Sequence, residues 1–306
     1  MRILITGGAG FVGKHLTEFL LSKNHMITIL DQFSNSTKQE ILYLLNKGVT
    51  LIESDITELK SLEQIKEFDA VVHLAAQINV DASILDPDYT MKVNVVGTEN
   101  LLKICIKNKI KNFVFASSAA VYGEPKSLPL TEYSTIDSIS PYGKSKTLME
   151  NLVKDYSKKF NLNCISLRFF NIYGIGQSEE YAGVISKFLR NIDDNQNLCI
   201  FGNGRQTRDF ISVDDITMAI ENAIMHVNGK IGDCYNIGSG DHISIKELAE
   251  LMIKISGKNL RIEYGPNKVG DIQHSSTSIN LAKNQINFSP KISLKDGLKK
   301  LLKSSS

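Results

Sequence analysis

The stretch "RILITGGAGFVG", residues 2–13, decides how the rest of the chain is read. An apolar, β-branched run meets Gly7, Gly10 and Gly13, spaced by three, and a helical pattern follows at once, with Leu16, Phe19 and Leu20 on one face. Glycine lets the chain turn tightly and lets backbone N–H groups approach a pyrophosphate at a helix N-terminus. The spacing is not Gly-x-Gly-x-x-Gly, but a glycine turn between strand and helix has the same mechanics and predicts a dinucleotide site. The same letters nearly make a nucleoside-triphosphate loop, with Gly8 followed by Gly13–Lys14. The next residue should be Ser or Thr to hold Mg²⁺ and is His15, which excludes that reading.

Outward from this turn the first half repeats one beat, an apolar run and then a polar helical stretch. Further runs stand at 26–30, 49–53, 70–76, 113–118 and 164–170, and Leu101, Leu102 and Cys105 mark a helical face before the run at 113. Near-continuous apolar strands alternating with helices predict an α/β fold, a doubly wound parallel sheet of Rossmann-like type. After residue 171 Gly and polar residues cluster and the strands thin out. A helix is expected at 214–226, a strand and turn at 234–240, and a helix opened by the capping box Ser244/Glu247 and closed at Gly257. The expected division is a dinucleotide-binding domain over 1–170, with returning segments near 211–238, and a smaller interleaved substrate lobe mainly over 171–306.

The 306 residues are 42% hydrophobic and 22% charged, enough for a sizeable core, and the formal charge of +2 gives nucleic-acid binding little support. The C-terminal lysines alternate with leucines, as on the wet face of an amphipathic helix. No apolar run approaches the ~18 residues that cross a bilayer, and "MRILITGG" is too short for a secretory signal. Cys105, Cys164, Cys199 and Cys234 are scattered without metal-ligand spacing, so no metal site is expected. Reduced thiols in a cytoplasmic protein without membrane or nucleic-acid partners are the expectation.

Asp31 closes the second run, near the distance from the glycines at which an acid meets the adenosine ribose. A carboxylate accepts from ribose hydroxyls and repels a 2′-phosphate, and no Arg stands beside it, which favours NAD over NADP. Asp55, after the third run, is a weaker candidate for the adenine edge. In "SPYGKSK", residues 140–146, Tyr142 and Lys146 are four apart at the start of a helix that Pro141 favours, so they share a face. A free Tyr has a pKa of about 10, and bringing it to 7 needs ~4 kcal/mol of differential stabilisation. A nearby Lys⁺ and a positive nicotinamide ring are expected to supply this in a dry site, making Tyr142 a general base toward a sugar hydroxyl. The run at 113–118 ends in Ser117–Ser118, and a hydroxyl at the carboxyl end of a parallel strand faces the ligand crevice.

With these parts assembled, the sequence resembles the extended short-chain dehydrogenase/reductase family, and within it nucleotide-sugar epimerases of the UDP-glucose 4-epimerase type. The resemblance covers nearly the whole chain, through "TGGAGFVG", Asp31, Asp55–Ile56, "HLAA" at 73–76, "VNVVGTENLL" at 93–102, "ASSAAVYG" at 116–123, "SPYGKSK", "RFFNIYG" at 168–174, "FGNGRQTRDFISVDDI" at 201–216 and "YNIGSG" at 235–240. It implies Ser118, rather than Ser117, as the catalytic hydroxyl, Tyr142 as base and Lys146 on the nicotinamide ribose. It extends the cofactor contacts to Phe11, Val12, Ile56, Leu74, Ala75, Ala76 and Asn94, and takes His73 as structural. On the substrate side it implies Asn171 along the sugar nucleotide, Phe201 near the base and Arg208 on the diphosphate, where a guanidinium fork suits. A homodimer through helices near 90–107 and 143–159 is implied as well.

The family mechanism is C4 epimerisation: Tyr142 takes the C4 hydroxyl proton while hydride leaves C4 for NAD⁺, the 4-keto sugar turns, and hydride returns to the other face. Dehydratases and decarboxylases of the family are the alternative, with a non-catalytic NAD-binding protein behind them. Those lyases carry carboxyls beside the catalytic hydroxyl, where this chain has Ala119 and Ala120, and a methyl cannot transfer a proton. Two positions depart from the family pattern. Lys268 stands where an Arg usually meets the diphosphate, keeping the charge without the fork, and Ser278 stands where relatives often carry Asp. Ser275 is small, and at the wall of the sugar pocket it would admit UDP-N-acetylglucosamine and UDP-N-acetylgalactosamine besides UDP-glucose and UDP-galactose.

Overall fold

Ile3, Leu4 and Ile5 are all fully buried, so strand β1 (Arg2–Thr6) is covered on both faces. A computed structural model describes residues 1–177, 183–267 and 272–304. The strands after β1 are β2 (Met26–Asp31), β3 (Thr50–Glu53), β4 (Ala70–His73), β5 (Asn112–Ser118), β6 (Asn163–Phe169), β7 (Asn171–Tyr173), β8 (Leu198–Phe201), β9 (Thr207–Arg208), β10 (Phe210–Ser212), β11 (Ile231–Ile237), β12 (Ile243–Ser244) and β13 (Ile262–Gly265). The helices are α1 (Phe11–Ser22), α2 (Leu42–Leu45), α3 (Val80–Leu85), α4 (Pro87–Met91), α5 (Gly97–Lys107), α6 (Pro141–Phe160), α7 (Val184–Asp193), α8 (Val213–His226), α9 (Ile245–Ser256), α10 (Asn280–Ile286) and α11 (Leu294–Ser304).

Seven strands form one sheet in the order β11-β6-β5-β4-β1-β2-β3, every pair parallel. Alternation along β1 sends Ile3 and Ile5 into a core with α1, α8 and α10, while Leu4 joins Leu101, Leu102, Met149 and Val153 of α5 and α6 on the opposite face. The expected doubly wound sheet is therefore present. The strand order reverses between β1 and β4, and the crevice at that switch point, beyond the carboxyl ends of the strands, is where such sheets bind ligands.

The C-terminal segments make three two-stranded pairings, β7 with β10, β8 with β13 and β9 with β12. They pack with α7, α9 and α11 around a separate core that includes Phe188, Leu248, Met252 and Leu298. Ser244 and Glu247 close the expected capping box on α9, and Gly257 ends that helix in the left-handed region at φ +69°. The strand expected at 234–240 is Ile231–Ile237, on the edge of the main sheet beside β6. The run at 70–76 is strand only to His73, because residues 74–76 leave the sheet to line the crevice. Among the described residues no helix is long and apolar enough to cross a membrane.

Candidate active site

The glycine turn is shaped by close backbone approach. Gly7 has φ +69°, and a Cβ there would lie 2.6 Å from the Ala75 nitrogen; on Gly13 it would lie 2.4 Å from the Gly7 carbonyl oxygen. The first residue before α1 is Gly10, with no side-chain cap and no acid in the first turn, so the positive end of the helix faces the crevice unneutralised. Behind the turn, Thr6 Oγ1 lies 2.7 Å from His73 Nδ1 and the other ring nitrogen lies 2.9 Å from Thr98 Oγ1. Burial lowers the His73 pKa to about 3, with Lys146 adding to the effect. A neutral His73 braces β1, β4 and α5.

Asp31 ends β2 in the same cavity, which has a volume of about 920 Å³. Its carboxylate accepts from the Ala9 N–H at 3.0 Å and the Phe33 N–H at 2.8 Å. Burial raises its pKa, and those backbone donors pull it back. Gly7, Gly10, Phe11, Val12, Gly13, Ile56, Leu74, Ala75 and Ala76 line the cavity with it, as expected of cofactor contacts. Two expected contacts do not line it. Asp55 turns to accept from the Thr57 N–H at 2.8 Å, leaving Ser54 and Ile56 at the wall. Asn94 is fully buried and braces the site from behind: it accepts from Gln77 N–H at 2.7 Å and donates to the Gln77 carbonyl and to Ser145 Oγ.

Ser118, Tyr142 and Lys146 meet in this one cavity. Ser118 ends β5, its oxygen accepting from the Ala120 N–H at 3.2 Å, and its hydroxyl acts to lower the Tyr142 pKa. Pro141 opens α6, Ser140 caps it by accepting from Gly143 N–H, and Ser83 Oγ accepts from the Tyr142 N–H at 3.1 Å. Lys146 is 3% exposed, donates to the Ala116 carbonyl at 2.8 Å, and lies 5.8 Å from the centre of the Tyr142 ring. Ser117 also borders the cavity, but its hydroxyl turns away to Glu150 at 2.5 Å.

The expectation for Tyr142 rests on the cofactor's charge as well as the chain's. The chain alone does not draw Tyr142 toward 7: burial raises its pKa, opposed only by the Ser118 hydroxyl. Burial acts on the cation too and lowers Lys146 to about 7, with Glu150 opposing it. A dry site penalises both charged forms, and the ammonium is committed to a carbonyl oxygen rather than to the phenol.

At the far end of the cavity lie Asn171, Phe201 and Arg208. Asn171 donates from both backbone and side chain to the Asp209 carbonyl, and Arg208 Nη1 donates to the Thr207 carbonyl at 2.8 Å. Asp209 is fully buried and accepts from Ser239 N–H, Ser239 Oγ–H and Gly240 N–H. Ser275 is not at the cavity wall: it is 8% exposed, with its N–H bonded to the Thr207 carbonyl. Lys268 lies outside the described residues. The sequence reading missed Gln77, which lines the cavity and has its side-chain carbonyl oxygen buried without a partner among the described residues. It also missed Ser83. Gln77 directly follows "HLAA" and could have been taken with it, whereas nothing local marks Ser83.

This cradle suits a dinucleotide. The glycines let the turn pack tightly against neighbouring backbone, the uncapped helix favours a diphosphate, Asp31 is placed for a ribose, and Gln77 offers an acceptor that needs a donor. The family model described as the NAD dependent epimerase/dehydratase family matches residues 3–238. A Methanocaldococcus jannaschii protein provisionally named a UDP-glucose 4-epimerase is 37% identical over 98% of this chain and 97% of its own. UDP-glucuronic acid decarboxylase 1 of Arabidopsis thaliana is 32% identical over 99% of this chain and 69% of its own. The crystal structure of the Thermotoga maritima UDP-glucose 4-epimerase with UDP-glucose superposes with a TM-score of 0.93, at 31% identity, covering 99% of this chain and 98% of that one. Overall identity alone therefore does not separate epimerase from decarboxylase, but both lie within one family. The chain belongs to the NAD-dependent epimerase/dehydratase family.

Proposed function

We propose that the protein interconverts the C4 isomers of a UDP-sugar, UDP-glucose and UDP-galactose first, through a transient 4-keto sugar. The observation that carries this is a Ser118–Tyr142–Lys146 site whose neighbours Ala119 and Ala120 offer no acid or base. Among the described residues only Asp31 and Asp86 bring carboxyls to the cavity. Asp31 is held by Ala9 and Phe33, and Asp86 caps α4 by accepting from the Tyr89 N–H. Eliminating water needs a second acid–base pair, whereas moving hydrogen at C4 alone does not.

NAD, when bound, takes up hydride from C4 and returns it. The protein's own part is to hold and to move a proton. Ser118 orients the C4 hydroxyl and Tyr142 accepts its proton, while Lys146, as a cation, offsets the phenolate charge. The C-terminal lobe grips the nucleotide through Asn171, Phe201 and Arg208. With Ser275 off the wall, acceptance of the N-acetylated UDP-sugars has no support from that side chain, and a substrate panel decides it. A homodimer fits the apolar side chains left outward on the helices named above, with Val96 44% and Leu148 47% exposed. Four free thiols suit a cytoplasmic location. Incubation with NAD⁺ and a panel of UDP-sugars, followed by product separation, is expected to yield C4 isomers without net NADH. A keto sugar or CO₂ as the product would move the chain to a dehydratase or decarboxylase.

A further inference from the structure

Helix α6 carries Tyr142, Lys146 and Glu150 at successive intervals of four, so the three share one face. Glu150 lies outside the cavity lining, yet its side chain is only 12% exposed and is held from three sides. Oε1 accepts from Ser117 Oγ at 2.5 Å and from Arg168 Nε at 2.9 Å, and Oε2 accepts from Arg168 Nη2 at 2.7 Å. Arg168 then turns Nη1 away, to the Tyr122 hydroxyl at 2.7 Å, which in turn donates to Asn236 Oδ1 at 2.6 Å. The sheet register sets Ser117, Arg168 and Asn236 side by side on β5, β6 and β11, so the network is anchored across three strands.

We propose that Glu150 is a positioning residue for the reaction, a fixed countercharge that keeps Lys146 protonated at neutral pH in a site dry enough to discharge it. The groups facing Lys146 support this. His73 from β4 is neutral, Tyr142 precedes it on α6, and Ala116 of β5 offers only a carbonyl. The helices packed alongside contribute the uncharged Ser83, Asn94 and Thr98. Arg168 donates to both Glu150 oxygens and Cys234 Sγ lies 3.7 Å from Oε1, while Glu150, one helical turn from Lys146, is the acidic side chain whose charge opposes loss of the lysine's proton. Burial pushes the lysine down to about 7 even with this help. Without it the cation needed beside a phenolate is the minority form.

The inference deepens the reading of Lys146 as that cation, and its readout is the lysine's own titration, which is independent of any turnover. The ¹³Cε shift of Lys146, assigned by its loss in Lys146→Met, is followed against pH in the whole protein. In the wild type it is expected to titrate at about 7 or above, and a midpoint well below 6 overturns the proposal whether or not any Glu150 variant folds. In Glu150→Gln the midpoint is expected to fall by about one pH unit, with Glu150→Asp restoring most of it. An unchanged midpoint in a folded Glu150→Gln protein also overturns the proposal. In activity, the alkaline limb of the kcat profile moves down by the same interval in Glu150→Gln, whereas a merely structural role lowers kcat evenly at every pH.

Discussion

Lys146 Nζ donates to the Ala116 carbonyl at 2.8 Å, fastening the helix that presents Tyr142 to the strand that ends in Ser118. The sheet register and the start of α6 thus set the geometry of proton transfer together. If Tyr142 is the base, Tyr142→Phe keeps this tie and the fold but removes the only atom that can carry the proton. Its kcat should fall by about 10²–10⁴-fold, with NAD affinity within twofold of wild type by calorimetry. Activity left unchanged would remove Tyr142 from the chemistry.

The glycine turn makes a prediction about space rather than charge. A methyl at residue 13 would sit 2.4 Å from the Gly7 carbonyl, with the Gly8 backbone also inside contact distance. Backbone cannot swing aside as a side chain can. Gly13→Ala should therefore lose about 1–3 kcal/mol of stability and bind NAD poorly, as read by thermal melting with and without the cofactor.

His73 links pH to stability. Its folded pKa is near 3 against an unfolded value near 6.5, so the unfolded chain takes up a proton that the folded one refuses. Stability is full above pH 6.5 and is lost as pH falls, by about 5 kcal/mol at pH 3. Urea titrations from pH 7 to 4 should show this loss. His73→Asn should start lower, having lost the imidazole's bonds to Thr6 and Thr98, but decline with a slope shallower by up to one proton.

Asp31 is held by two backbone donors and faces the cavity with its charge. Asp31→Asn should weaken NAD binding by about tenfold, the scale of one charge-assisted hydrogen bond, and narrow the preference over NADP. Fluorescence titration with both nucleotides measures this, and an unaltered NAD-to-NADP ratio would contradict the assigned role.

The dinucleotide half of the site was legible because its signals are local. Strand, glycine turn, helix and terminal acid lie within residues 2–31, and the Ser244/Glu247 capping box was equally readable. The failures are positions whose meaning depends on where a side chain points once the strands are in register. Asn94 and Asp55 sit in motifs that reach the cavity, but one turns into the brace behind it and the other back onto its own loop. Glu150 and Arg168 are 18 apart in sequence, and Ser117 is 33 from Glu150, so no window along the chain brings them together. The ionisation of Tyr142 was legible only in part: the nearby cation shows in the sequence, while the cost of burying that cation does not.

The most direct test is to run the reaction in D₂O with UDP-galactose and examine the carbon-bound hydrogens of the product. C4 epimerisation with hydride returned to the carbon it left predicts UDP-glucose with no deuterium on any ring carbon. Deuterium at C5, or a product lacking the C4 hydroxyl, would mean that protons are exchanged next to the keto group, and the reaction would be an elimination or decarboxylation instead.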